Sequence, residues 1–151
     1  IQAQVLKLLN KLKEEHGLTY IFITHDLSVV EYLADRIAVM YAGKIVEYGT
    51  AEDIFYRAAH PYTWALLSSI PGRAQESKSK LYSLQGTPPD LLLPLQQCPF
   101  APRCQYCMPI CKKAIPKENF LTDTHGVACW LQHPMAPKVT PPAGIGGYDH
   151  E

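Results

Sequence analysis

The chain has 151 residues, 47% of them hydrophobic, which is material for one core and at most a small satellite. Its 14 lysines and arginines balance 14 aspartates and glutamates, so no global field draws it to nucleic acid or to an anionic membrane. No apolar run approaches membrane-spanning length; Leu91-Leu92-Leu93-Pro94-Leu95 is short and interrupted.

The opening reads as an amphipathic helix. Ile1, Val5, Leu8, Leu9 and Leu12 recur at helical spacing, with Lys7, Lys11 and Lys13 off that stripe. His16-Gly17 supplies a cationic last turn and a glycine stop. Because Ile1 opens inside this pattern, the chain is expected to be part of a longer protein. Leu18 to Ile23 is a near-continuous apolar run rich in β-formers, which predicts a strand buried on both faces of a helix-covered parallel sheet. It breaks into Thr24-His25-Asp26, and open α/β sheets place ligand-contacting groups at the C-terminal ends of their strands. His25 is therefore a candidate to donate to a phosphate oxygen or to accept from a water, set against the plainer reading of a solvated loop histidine.

A helix is predicted from Leu27 to Ala34, with Ser28 and Glu31 at capping-box spacing. Arg36 to Tyr41 and Lys44 to Tyr48 read as two strands joined at Ala42-Gly43. Thr50-Ala51-Glu52-Asp53 starts another helix, and Pro61 to Ile70 supplies one more with Pro61 in its first turn. Gly72 to Lys80 is polar and rich in breakers, a connector by composition. Leu81 to Gly86 is expected to form a short strand ahead of a turn at Thr87-Pro88-Pro89-Asp90. After Leu131 the chain turns to proline and glycine, and residues 134–151 are expected to form a mobile tail.

All five cysteines fall between Cys98 and Cys129. Cys98, Cys104, Cys107 and Cys111 are separated by five, two and three residues, and Cys129 follows after seventeen more. Prolines stud the run and large apolar residues are few, so the segment needs a tie. Five is a poor number for a disulfide framework. Inert buried thiols are the bland reading, and the clustering argues against it. Metal ligation is favoured: four thiolates hold zinc tetrahedrally or carry a [4Fe–4S] cluster. Spacing does not choose between these, because only Cys104-x-x-Cys107 has the form of a zinc knuckle. His125 and His133 flank Cys129 and are read as loop residues or donors to ligands rather than as ligands.

Longer words in the sequence carry a family resemblance. Tyr20-Ile21-Phe22-Ile23-Thr24-His25-Asp26-Leu27 resembles the switch-histidine strand of ABC-transporter ATPases, and Ala34 to Gly49 is similar to the two strands that follow it there. Ile1-Gln2-Ala3-Gln4-Val5 resembles the helix just after the D-loop. His60-Pro61-Tyr62-Thr63, with Leu66-Leu67 and Ile70-Pro71 behind it, narrows the likeness to the ATP-binding subunits of oligopeptide/dipeptide importers. Cys98-Pro99-Phe100-Ala101-Pro102-Arg103-Cys104 is similar to the cysteine-bearing extension of those subunits, so the resemblance spans about residues 1 to 131.

The resemblance implies an α/β fold: residues 1–70 as the C-terminal part of an ABC nucleotide-binding domain, 71–97 as linker, and 98–133 as a small, irregular Cys-rich metal-binding regulatory extension. It makes His25 the switch histidine, contacting the γ-phosphate of ATP and helping to position the attacking water. Asp26 is read as a helix cap. The implied cluster is [4Fe–4S] on Cys98, Cys104, Cys111 and Cys129, with zinc as the alternative; Cys107 stands where the family commonly has a small residue, and is the spare. It implies ATP and Mg in the intact subunit, a second ATP-binding subunit, transmembrane permease subunits and indirectly a peptide-binding protein, at the cytoplasmic face of the cell membrane. The departures are large. No G-x-x-x-x-G-K-[ST] loop occurs, Gly43-Lys44 lies in a hairpin turn before Ile45, and no Leu-Ser-Gly-Gly signature is present. The Walker B carboxylates are expected upstream of Ile1, so the isolated chain is expected neither to bind ATP well nor to hydrolyse it. The rival from another class is a stand-alone zinc-binding adaptor; a hydrolase built on His25 lacks a partnered nucleophile.

Overall fold

The glycine stop at the end of the first helix takes effect as predicted. In the computed structural model, which describes residues 2–70, 86–90, 92, 94–142 and 145, α1 (Gln2–His16) ends at Gly17 with φ +61°. Leu18 N–H then donates back to the Lys13 carbonyl at 3.1 Å, satisfying an orphan acceptor of the last turn. α2 (Leu27–Leu33) is capped by Asp26, whose Oδ1 accepts from the N–H groups of Ser28 and Val29 at 3.0 and 3.4 Å. The cap predicted at Asp26 is there, and the capping box predicted on Ser28 and Glu31 is not: Ser28 already lies inside the helix. A Lys13–Asp35 ion pair joins the two ends of this unit, which covers residues 1–35.

Leu18 to Ile23 is not a strand. Its backbone joins no sheet among the described residues, and Ile21 and Ile23 are 94% and 93% exposed. A strand exists only by pairing, and every pairing found is made elsewhere, in a sheet ordered β1-β2-β4-β3 and antiparallel throughout. The parallel sheet expected from the apolar run is therefore corrected: the described fold is mixed, with short helices and one antiparallel sheet.

That sheet belongs to the second unit, residues 36–151. β1 (Arg36–Tyr41) and β2 (Lys44–Thr50) form a hairpin. Its two turn residues, Ala42 and Gly43, both take positive φ, 49° and 72°, which matches the right-handed twist of the strands. α3 (Ala51–Tyr56) opens with a reciprocal capping box: Thr50 Oγ1 accepts from Asp53 N–H at 3.1 Å, and Asp53 Oδ2 accepts from Thr50 N–H at 3.0 Å. α4 (Pro61–Ser68) has Pro61 in its first turn and His60 as its cap, with Nδ1 accepting from Tyr62 N–H at 3.0 Å.

The cysteine segment extends this framework instead of standing beside it. β3 (Asn119–Phe120) and β4 (Gly126–Val127) form a short hairpin, and β4 pairs with β2 through Glu47↔Val127 and Tyr48↔Gly126. Three short 3-10 turns, Ala101–Arg103, Pro109–Lys112 and Trp130–Gln132, carry the rest. The core joins Val39, Tyr41, Val46 and Ile54 of the framework to Cys98, Phe100, Ala101 and Cys111 of the extension. Compactness thus divides the chain at 35/36, inside the stretch read from sequence as one domain. Pro71 to Gln85, the connector and most of the predicted short strand, lie outside the described residues. Within the expected tail, Ile145 is buried, and its N–H donates to the Pro142 carbonyl at 3.0 Å. Among the described residues no helix is long and apolar enough to cross a membrane.

Candidate functional site

Phe100 is the anchor of the cysteine segment. It is 1% exposed and sits among His60, Tyr62 and Tyr41, with ring centroids 5.8, 5.4 and 5.2 Å away. The His60-Pro61-Tyr62 motif thus has a physical reading. His60 caps α4, Pro61 starts it, and Tyr62 walls the pocket that receives Phe100. Burial holds the imidazole of His60 neutral, pushing its pKa down to about 3. On the other side of α4, Trp64 packs edge-on against Tyr106 at 5.6 Å.

A second fastening lies under β2. Glu47 and His125 are both fully buried and meet at 2.8 Å between Oε1 and Nε2. Glu47 also accepts from Ala59 N–H at 2.6 Å and from His60 N–H at 3.2 Å. One carboxylate therefore fixes β2, the entry to α4 and the β3–β4 hairpin together. Asp53 backs this arrangement, its Oδ2 accepting from Thr124 Oγ1 at 2.9 Å. Burial works to raise the Asp53 pKa, but hydrogen bonds from Thr50 and Thr124 outweigh it and hold the carboxyl below its usual range. His125, read from sequence as a loop residue or a donor near Cys129, is instead half of this buried pair. His133 is exposed, and its Nδ1 accepts from Met135 N–H at 3.2 Å.

The thiols lie between these fastenings. Cys98 and Cys111 are buried in the main core, with Cys104 and Cys107 packed against it, and Cys129 belongs to a smaller cluster with Ala59 and Val127. Cys98 N–H donates to the Cys111 carbonyl at 2.9 Å, closing the segment on itself. Burial pushes the Cys104 thiol up to about 12 and the Cys129 thiol higher still. Backbone N–H groups oppose that: Phe100 and Ala101 donate toward Cys98, Tyr106 toward Cys104 and Leu131 toward Cys129. Cys129 also lies within electrostatic reach of Cys98, Cys104 and Cys111.

The donor set fits a soft, thiolate-preferring centre in kind. Four sulfurs share one neighbourhood, and amide donors stand ready to stabilise them as thiolates. Their side chains are not drawn to bonding distance: among the described residues no three His, Cys, Asp or Glu are spaced to hold a metal ion. His25 is an exposed bend residue between the Leu18–Ile23 segment and α2, in the other compact unit.

Comparison with known proteins shows what this arrangement is similar to. Residues 46–111, from β2 to the fourth cysteine, match the model of the oligopeptide/dipeptide transporter, C-terminal region. The oligopeptide transport ATP-binding protein AmiE of Streptococcus pneumoniae is 51% identical over 145 residues, 96% of this chain and 41% of that protein. The oligopeptide transport ATP-binding protein OppD of Bacillus subtilis is 49% identical over 145 residues, 96% of this chain and 40% of its own length. The dipeptide transport ATP-binding protein DppD of Bacillus subtilis is 48% identical over 136 residues, 90% of this chain and 40% of its own length. The chain thus spans about two fifths of the length of the curated relatives it matches. Over residues 46–111 the chain is thus similar to the C-terminal region of the oligopeptide/dipeptide transporter, and over most of its length to oligopeptide and dipeptide transport ATP-binding proteins.

Proposed function

We propose that this chain is the C-terminal portion of the ATP-binding subunit of an oligopeptide/dipeptide ABC importer, in which ATP binding and hydrolysis drive peptide uptake. The observation that carries this reading is the family match over residues 46–111, joined to 51% identity with a named oligopeptide transport ATP-binding protein across nearly the whole chain. In the working transporter two ATP-binding subunits close on two nucleotides, and closure drives paired permeases to release a peptide delivered by a binding protein. The subunit acts peripherally, at the cytoplasmic face of the membrane.

His25 is the proposed switch histidine. An imidazole aimed at the terminal phosphate senses its presence and stabilises charge as the phosphoryl group transfers. The extension is proposed to hold a [4Fe–4S] cluster on Cys98, Cys104, Cys111 and Cys129, with zinc the alternative. Bound there, the metal supplies a structural tie. The protein's own part is to present buried sulfurs with amide donors and to brace them on Phe100 and the Glu47–His125 pair. With Thr50 to Ile70, the cysteine module is proposed to form a contact surface toward the second ATP-binding subunit.

The test uses the intact subunit, reconstituted with its permeases in vesicles. His25→Ala is expected to lower peptide-stimulated ATP hydrolysis by at least about 100-fold while leaving nucleotide binding measurable. Turnover equal to the unsubstituted subunit would refute the role given to His25. The 151-residue chain alone is expected to show no ATP hydrolysis above background.

A further inference from the structure

Cys107 and Cys111 meet at one carbonyl. Cys107 Sγ donates weakly to the Met108 oxygen at 3.7 Å, and Cys111 N–H donates to that same oxygen at 3.0 Å. The 3-10 turn Pro109–Lys112 carries Cys111 back toward Cys107, and the N–H groups of Lys113 and Ala114 close the turn on the Ile110 carbonyl, each at 3.0 Å. Both side chains belong to one apolar cluster, Cys111 buried within it and Cys107 half-buried against it. Three of the other sulfurs are met by amides: Cys98 by the N–H groups of Phe100 and Ala101, Cys104 by that of Tyr106, and Cys129 by that of Leu131. Cys107 differs. The side chain that hydrogen-bonds to it is the thiol of Cys111.

We propose that Cys107 and Cys111 are a redox pair that closes to a disulfide when the metal-free chain meets a peroxide, withdrawing Cys111 from the proposed ligand set. The withdrawal rests on the reading of the extension as a thiolate metal centre; the pairing of the two sulfurs does not. The chemistry takes two steps. The sulfur of Cys107, the more exposed of the two, attacks the O–O bond of the peroxide, and becomes a sulfenic acid as one water leaves. The sulfur of Cys111 then displaces the hydroxyl from that sulfenic acid, so that the S–S bond forms and a second water leaves. Two thiols lose two electrons and two protons, and one hydrogen peroxide is reduced to two waters. Burial holds the Cys107 thiol above its usual range, against the pull of the Lys112 ammonium, so the first step is slow. Cys104-x-x-Cys107 has the spacing common in redox motifs, but the sulfur of Cys104 is engaged by the Tyr106 N–H. Thiols already in side-chain contact need only a small closing movement of the Pro109–Lys112 turn to bridge.

The test uses the full chain, stripped of metal under reducing conditions and then exposed to a small excess of hydrogen peroxide. Cysteines left free are alkylated and located by tandem mass spectrometry. The expected result is the loss of two hydrogens per chain with Cys107 and Cys111 both unalkylated, this bridge exceeding any other by at least about tenfold. A predominant bridge from Cys104 to Cys107, or Cys107 carried to sulfinic acid without any bridge, overturns the proposal. Cys107→Ser, outside the proposed ligand set, is expected to leave Cys111 open to alkylation after the same treatment; a Cys111 that still vanishes into a bridge counts against the pair. Anaerobic uptake of iron with sulfide then separates the two readings. The bridged chain is expected to take up less than about a tenth of the iron that the reduced chain takes, and a thiol reductant is expected to restore it. Equal uptake by both forms overturns the withdrawal of Cys111. If the reduced chain itself takes up no iron, the cluster reading fails, and the bridge map still decides the pair.

Discussion

Glu47 has no exposure to solvent, yet it is the residue through which three segments meet. Its carboxylate takes two backbone N–H groups and the His125 ring, so removing the charge strands buried donors. Glu47→Ala is expected to cost about 3–5 kcal/mol in chemical denaturation. The Glu47/His125 double-mutant cycle should show a coupling of about 1–3 kcal/mol; a coupling near zero would mean that the pair does not hold the hairpin. His60 sets a different dependence. Its folded pKa of about 3 lies below the free value of 6.5, so the unfolded chain binds the proton more readily. The stability it supports is complete above about pH 6.5 and is lost as the pH falls toward about 3. By about pH 5 that loss is ~2 kcal/mol, and His60→Asn, which keeps a capping acceptor without the titration, should flatten this limb of the stability profile. Asp53, held below its usual range, loses its contribution only at more acid pH, below its unfolded value. Glu47 and His125 lie 78 residues apart, and no local spacing could have paired them. A glutamate in a strand otherwise reading as apolar was the only hint.

At the level of elements, Phe100 is the aromatic side chain buried deepest where the extension meets the framework. Phe100→Ala is expected to destabilise the second unit by about 3–5 kcal/mol, since the ring is wholly enclosed by His60, Tyr62 and Tyr41. A loss under about 1 kcal/mol would contradict that placement. Gly49 sets a tighter limit: a Cβ there would come within 2.8 Å of Asp53 Cβ. Gly49→Ala should displace the α3 cap and cost about 1–3 kcal/mol. The helices and the β1–β2 hairpin were legible because their signals are local: a glycine stop at Gly17, turn residues at Ala42-Gly43, a box at Thr50 and Asp53, a proline at the start of α4. Leu18 to Ile23 was misread for the opposite reason. Its composition favours a strand, but a strand is a relation between segments, and this one has no partner among the described residues.

For the molecule as a whole, the sequence placed the thiols in one segment but not on the sheet. The two-residue pairing of β4 with β2 makes the extension part of the same unit as the hairpin, and such a short, distant pairing leaves no periodic trace. What gives the thiols their purpose is a proposal with a direct measurement. Purified without oxygen, the full chain is predicted to be brown, to absorb near roughly 400 nm, and to hold about four iron atoms with sulfide. A colourless anaerobic sample without iron, its cysteines free to alkylate or occupied by a single zinc ion, would contradict the iron–sulfur centre.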